Sequence, residues 1–168
     1  MLVEYEISRL VRELKARTGR YLQIATSESA TAGKVADRLT TVPGSSDYFA
    51  ASIVAYSNRS KTLLLGVEES TLQEKGAVSE EVARQMARGG RTLLGVDVCV
   101  SDTGIAGPGG GSEEKPVGLF YMALDSRDVC LCRRYTLCKD REGNKRDASE
   151  EALRLLRDYL EQLVEGQA

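Results

Sequence analysis

Val96-Asp97-Val98-Cys99-Val100-Ser101 alternates valine with small or polar residues and stops at Thr103-Gly104, the period of two expected of a half-buried strand. Residues 117–124, Val-Gly-Leu-Phe-Tyr-Met-Ala-Leu, are apolar at both parities and predict a central strand covered on both faces. Residues 129–137 alternate again and carry arginine, so 125–128 reads as the connection of a late antiparallel hairpin. Upstream, helices and strands take turns. Val3, Ile7, Leu10 and Leu14 draw one apolar stripe on a first helix, and 21–25 reads as a short buried strand. A helix is expected over about 32–39, closed by Pro43-Gly44, then a strand over 50–56. Ser79, with Glu80 and Glu81 in the first turn, starts a helix running to Leu94. Ala152, Leu155, Leu156, Tyr159, Leu160 and Leu163 mark a long final helix. Alternation first and a hairpin last predict the α/β class: a three-layer α/β/α sandwich with a mixed sheet.

Composition narrows the function. A chain of 168 residues, 42% hydrophobic and 29% charged, reads as one globular domain over 1–168 rather than a disordered segment. With 23 basic against 25 acidic residues there is no electrostatic footprint for nucleic acid or an anionic membrane surface. No apolar run approaches the roughly 20 residues of a membrane span, and the charged first helix is no secretion signal, so the expected location is the cytoplasm. The absence of histidine removes every Ser-His and Cys-His device and every histidine-ligated metal site. Cys99, Cys130, Cys132 and Cys138 form no CxxC pair, so no metal is expected. Cys130, Cys132 and Cys138 share one parity and read as buried free thiols in a reducing compartment.

Sites in such sheets collect beyond strand ends, where three polar clusters stand. Glu28-Ser29-Ala30-Thr31-Ala32-Gly33 is a strand-to-helix turn whose free amides could hold an anion or a developing oxyanion, or else a plain helix cap. Tyr56-Ser57-Asn58-Arg59-Ser60-Lys61, read as a loop, offers a phenol and an amine, either able to act as a base once burial lowers its pKa. In Thr103-Gly104-Ile105-Ala106-Gly107-Pro108-Gly109-Gly110-Gly111 the glycines allow amides to converge on a phosphate or carboxylate, or simply make a flexible loop. It lacks the GK[ST] ending of a P-loop.

With Val42-Pro43-Gly44-Ser45-Ser46-x-Tyr48-Phe49, Leu65-Gly66-Val67, the stretch 76–83, Lys115-Pro116-Val117-Gly118 and Asp140-Arg141-Glu142, this ordered series resembles the C-terminal domain family of the competence-damage-inducible protein CinA, which includes bacterial nicotinamide mononucleotide deamidases. The resemblance runs from about Leu22 to the last helix and implies an α/β/α sandwich that hydrolyses the nicotinamide amide to ammonia and nicotinic acid mononucleotide, with no metal and no organic cofactor. It makes Ser29 the nucleophile, Lys61 its base and Tyr56 an aid to proton transfer. Thr31, Gly33, Ser46, Thr103, Gly107 and Arg141 would line the site of the small-molecule nucleotide. A homo-oligomer is implied, in a stand-alone form without the larger N-terminal nucleotide-processing domain of full-length members.

The sequence departs from the family pattern in two places. Ala30-Thr31-Ala32-Gly33 replaces the usual Cys-Thr-Gly-Gly, with Lys34 at a usually apolar position; Gly143-Asn144-Lys145-Arg146 leaves Arg141, Lys145 and Arg146 all candidates for the phosphate. A non-catalytic nucleotide-binding module with Ser29 as a cap stands as the alternative. A different serine amidase or peptidase is a third, weakened because Asn58 breaks an S-x-x-K arrangement ahead of Lys61.

Overall fold

A computed structural model describes residues 1–166 of the chain. Its helices are α1 (Val3–Thr18), α2 (Lys34–Thr41), α3 (Asn58–Leu65), α4 (Glu69–Lys75), α5 (Glu80–Leu94) and α6 (Arg141–Glu165). The strands β1 (Ile24–Glu28), β2 (Phe49–Val54), β3 (Val98–Gly104), β4 (Leu119–Ser126) and β5 (Cys130–Thr136) form one sheet in the order β2-β1-β3-β4-β5. The β2, β1 and β3 strands run parallel, while β4 and β5 are antiparallel, so the mixed sheet stands as expected.

The two faces of the sheet differ in side-chain size, and that difference sets how the helices lie. One face presents Ile24, Val98, Val100, Phe120, Met122 and Leu124 to α1, α2 and α6, and burial of each such side chain contributes about 1.5–3 kcal/mol. The other presents Ala25, Cys99, Ser101 and Ala123, small enough for α5 to approach through Ala83, Ala87 and Gly90. A Cβ on Gly90 would stand 2.0 Å from Ser27 Oγ, so that approach needs glycine. Ser101 Oγ donates to the Ala83 carbonyl at 2.6 Å, tying β3 to α5. The outer flank of α5 carries α3 and α4. These are the three layers.

Several expected boundaries move for identifiable reasons. The first strand spans Ile24–Glu28 rather than 21–25, because Thr26, Ser27 and Glu28 are buried strand residues with partners for their polar atoms. Thr26 Oγ1 donates to Ser52 Oγ at 2.7 Å, and Ser27 Oγ lies 3.4 Å from Cys99 Sγ. The β3 strand is buried on both faces, not half-buried. Residues 58–61 belong to α3, not a loop: Ser57 caps it by accepting the Ser60 amide at 3.1 Å, and Gly66 ends it. No sequence signal was read for α4, which has no buried residue. The α6 helix begins at Arg141, capped by Asp140, far ahead of its apolar stripe. Of the cysteines only Cys99 is buried; Cys130 and Cys132 are half-buried on edge strand β5, and Cys138 is exposed beyond it. No described helix is long and apolar enough to cross a membrane.

Candidate active site

The β1 strand leads through α2 to β2 on one side, while β3 lies on its other side, reached from β2 through the helices of the opposite face. The crevice beyond the carboxyl ends of β1 and β3 is therefore the switch point of the sheet, where side chains from separate loops converge. A cleft of about 300 Å³ opens there, lined by Ser29, Tyr56, Lys61, Thr103, Gly107 and Arg141 among others. Lys61 and Arg141 are the basic side chains lining it, and no carboxylate among the described residues does.

Ser29 follows the last residue of β1 and is 7% exposed. The turn behind it is held by Glu28, which folds back onto the start of α2 and accepts the amides of Gly33 at 2.7 Å, Ala36 at 2.9 Å and Val35 at 3.2 Å. A carboxylate at these otherwise orphaned donors is an N-terminal cap. Asp102 of β3 accepts the amides of Ser29 at 3.0 Å and Thr31 at 3.1 Å. The turn amides expected to be free for an anion are thus largely occupied by the protein's own carboxyls. Ala32 closes the turn at φ 52°, a left-handed conformation that disfavours a Cβ.

Lys61 projects from the first turns of α3, is 2% exposed, and donates from Nζ to Ser29 Oγ at 2.9 Å. Nζ also donates to the carbonyls of Ala55 at 3.1 Å and Tyr56 at 3.4 Å, so the hydrogen-bond partners of the amine are a hydroxyl and two carbonyls. Burial lowers the Lys61 pKa, and the charge of Asp102 acts in the opposite direction. An amine so placed can take the seryl proton when neutral.

Tyr56 shares the cleft, but its hydroxyl accepts from the Arg141 guanidinium at 3.1 Å rather than meeting Ser29. Arg141, in the first turn of α6, also donates to the Gly107 carbonyl at 2.7 Å. Asn144 is wholly buried one turn further on and donates to the Ala106 carbonyl at 3.1 Å, so α6 pins the glycine loop from below. Thr103 lines the cleft with its hydroxyl turned to the Ala77 carbonyl at 2.7 Å.

Three expected lining residues lie elsewhere. Thr31 is wholly buried between Glu28 and Asp102, and Gly33 at φ 93° serves as the left-handed N-cap of α2. Ser46 is exposed on a 3-10 turn (Ser45–Asp47) at the other end of the parallel strands, where the Ile24 amide donates to Tyr48. The rival cations also point away: Lys145 faces Glu142 at 3.9 Å, and Arg146, 68% exposed, faces Asp147 at 3.6 Å. Lys34 is drawn to Glu142 at 3.3 Å. Asp102 and Asn144 were missed; the trace of Asp102 in the sequence is an acid set between Ser101 and Thr103 at the end of the valine alternation. No group of three or more Cys, Asp or Glu side chains among the described residues is arranged to hold a metal.

A family model described as the CinA C-terminal domain matches residues 7–160. The chain is 50% identical over 154 residues to a CinA-like protein of Geotalea uraniireducens, a match covering 92% of this chain and 36% of the relative. It is 44% identical over 158 residues to a CinA-like protein of Geobacter sulfurreducens, covering 94% and 37%. The chain therefore spans about a third of the length of the curated relatives it matches. Among solved structures, the competence/damage inducible protein CihA from Agrobacterium tumefaciens superposes with a TM-score of 0.87 at 35% identity, over 96% of this chain and 97% of that one. A CinA superfamily protein from Escherichia coli gives a TM-score of 0.83 at 30% identity, over 92% and 89%. The matched fold, the ordered motifs and the extent of the family match agree: the chain belongs to the CinA C-terminal domain family.

Proposed function

We propose that this domain is an amidohydrolase that converts nicotinamide mononucleotide and water to nicotinic acid mononucleotide and ammonia. The observation that carries the reading is the 2.9 Å contact between a buried lysine and a serine in a cleft whose remaining charged group is Arg141. Neutral Lys61 accepts the Ser29 hydroxyl proton as Oγ attacks the amide carbon, giving a tetrahedral oxyanion. The Lys61 ammonium then returns the proton to the departing nitrogen; the C–N bond breaks and ammonia leaves. Water, deprotonated by Lys61, attacks the resulting ester, and Ser29 recovers its proton as the acid is released. The glycine loop and Arg141 take the phosphate, while Tyr56 steadies the guanidinium. Thr103 and Gly107 line the nucleotide site; Thr31 and Gly33 support it from behind.

The reaction needs no metal and no organic cofactor in this scheme. We place the protein in the cytoplasm and read it as a homo-oligomer, the latter supported by the exposed Leu63 and Leu64 of α3 and by the unpaired outer edge of β2. Ammonia release from purified protein supplied with nicotinamide mononucleotide, its riboside and unrelated amides tests the activity. Binding of the mononucleotide without ammonia would replace it by a non-catalytic nucleotide-binding module, and turnover of other amides alone by a different serine amidase.

A further inference from the structure

Two buried carboxyls stand behind the nucleophile and take no part in the steps above. Asp102 is 1% exposed, and its register partner on β4 is Met122. Its Oδ1 accepts the Ser29 amide and its Oδ2 the Thr31 amide. Thr31 Oγ1 lies 2.5 Å from Asp102 Oδ1 and 2.7 Å from Glu28 Oε2. One hydroxyl carries one hydrogen, so with both carboxyls ionised only one of these contacts is a hydrogen bond; the other needs a proton on a carboxyl. Glu28 also receives the amides of Gly33, Val35 and Ala36 and the hydroxyl of Ser52. Asp102 has two amides, full burial and the charge of Glu28 nearby, and is pushed up to about 6, burial being the largest cause. The ionisable groups acting on it are Glu28 from β1 and Lys61 from α3.

We propose that Asp102 is a positioning residue for Ser29: a buried carboxyl that clamps the amides on either side of Ala30 and sets the field in which Lys61 works. This rests on the Ser29–Lys61 reading of the cleft. By holding the Ser29 and Thr31 amides, Asp102 leaves that of Ala30 as the one amide of 29–31 without a partner among the described residues, on a residue that lines the cleft. Its negative charge favours the ammonium form of Lys61, opposing the effect of burial and limiting how far that lysine is neutralised.

Asp102→Asn in the full chain preserves side-chain shape but sets an NH2 group against one of the two amides, whichever way it is turned. The plateau kcat for ammonia release from nicotinamide mononucleotide is expected to fall about ten- to a hundredfold. KM should stay within about twofold, because uniform substrate binding is untouched. The midpoint of the rising pH limb should move down, since loss of the negative charge favours neutral Lys61. That midpoint is also read without turnover, by NMR of protein labelled at lysine Cε, with the Lys61 signal assigned through Lys61→Arg. An unmoved Lys61 titration with a wild-type plateau kcat overturns the proposal. A lowered Lys61 midpoint in a protein whose wild type releases no ammonia supports the Asp102–Lys61 coupling while refuting the activity. If Asp102→Asn does not fold, Thr31→Val should lower the plateau kcat and Thr31→Ser should restore it; equal activity of these two variants overturns the proposal.

Discussion

Replacing Arg141 by alanine should change the ranking of two substrates by an amount the geometry sets. In the free protein the guanidinium makes two bonds, to the Gly107 carbonyl at 2.7 Å and the Tyr56 hydroxyl at 3.1 Å, and three of its five N–H donors remain for a substrate phosphate. Nicotinamide riboside has no phosphate, so for it the variant loses only the tether on the glycine loop. The side chain is exposed, so that loss lies at the low end for a hydrogen bond, about 0.5–1 kcal/mol, or roughly two- to fivefold in kcat/KM. The mononucleotide loses the tether together with a charge-assisted phosphate contact of about 1.5–3 kcal/mol. The preference for mononucleotide over riboside should therefore fall by about ten- to a hundredfold. Arg141→Lys should fall between, keeping a charge but losing the planar fork. Steady-state ammonia release from both substrates measures the ratio. Equal fold losses on the two would show that Arg141 only tethers the loop and that the phosphate is held elsewhere.

Lys61→Arg and Ser29→Ala should each lower kcat by roughly a thousandfold or more, and the double variant should be little worse, since the pair acts as one unit; near-normal turnover by either single variant refutes the mechanism. Burial places Lys61 below the ordinary lysine range, so kcat should rise with pH and level off before that range is reached; a rate still climbing where free lysine titrates would contradict it. Ala32→Gly relieves a left-handed residue at φ 52° at the cost of a more flexible unfolded chain, a net stabilisation of about 0.5–1 kcal/mol in chemical denaturation; a destabilised variant would show that the Ala32 methyl is needed. Asp102 has a folded pKa of about 6 against 3.8 unfolded, so the native state binds more protons between these values and its contribution to stability falls as pH rises through that window. The unfolding free energy of wild type relative to Asp102→Asn should drop by about 2 kcal/mol from pH 4 to pH 7, and an unchanged difference would place the proton elsewhere.

Much of the scaffold was legible because it rests on local pattern. The α1 stripe and the Ser79 cap with its acids set α1 and α5 near their observed bounds, and unbroken apolarity over 117–124 marked β4 as covered on both faces. The pattern failed where polar residues are buried. Thr26, Ser27 and Glu28 look like a strand end, yet cross-strand and turn partners distant in sequence satisfy them. The α3 helix was missed because its inward residues are Lys61 and Leu65, so its core-facing side carries an amine where an apolar residue would announce the period.

Residue order and chemistry, with the family resemblance they carry, determined the α/β class, the need for a base other than histidine, and the nomination of Ser29 with Lys61. Those follow from local periodicity, from the absence of imidazole and from motif order, none of which requires knowing what lies across the sheet. Tertiary structure alone decided which nominees meet. Parallel β1 and β3 bring Ser29 beside Asp102, and α3 turns Lys61 back under Ser29. The same strand polarity sends Ser46 to the far end of the sheet and leaves Thr31 behind the turn. Distance through the fold, and the loss of water that lowers the lysine pKa and raises that of Asp102, depend on contacts between residues dozens of positions apart.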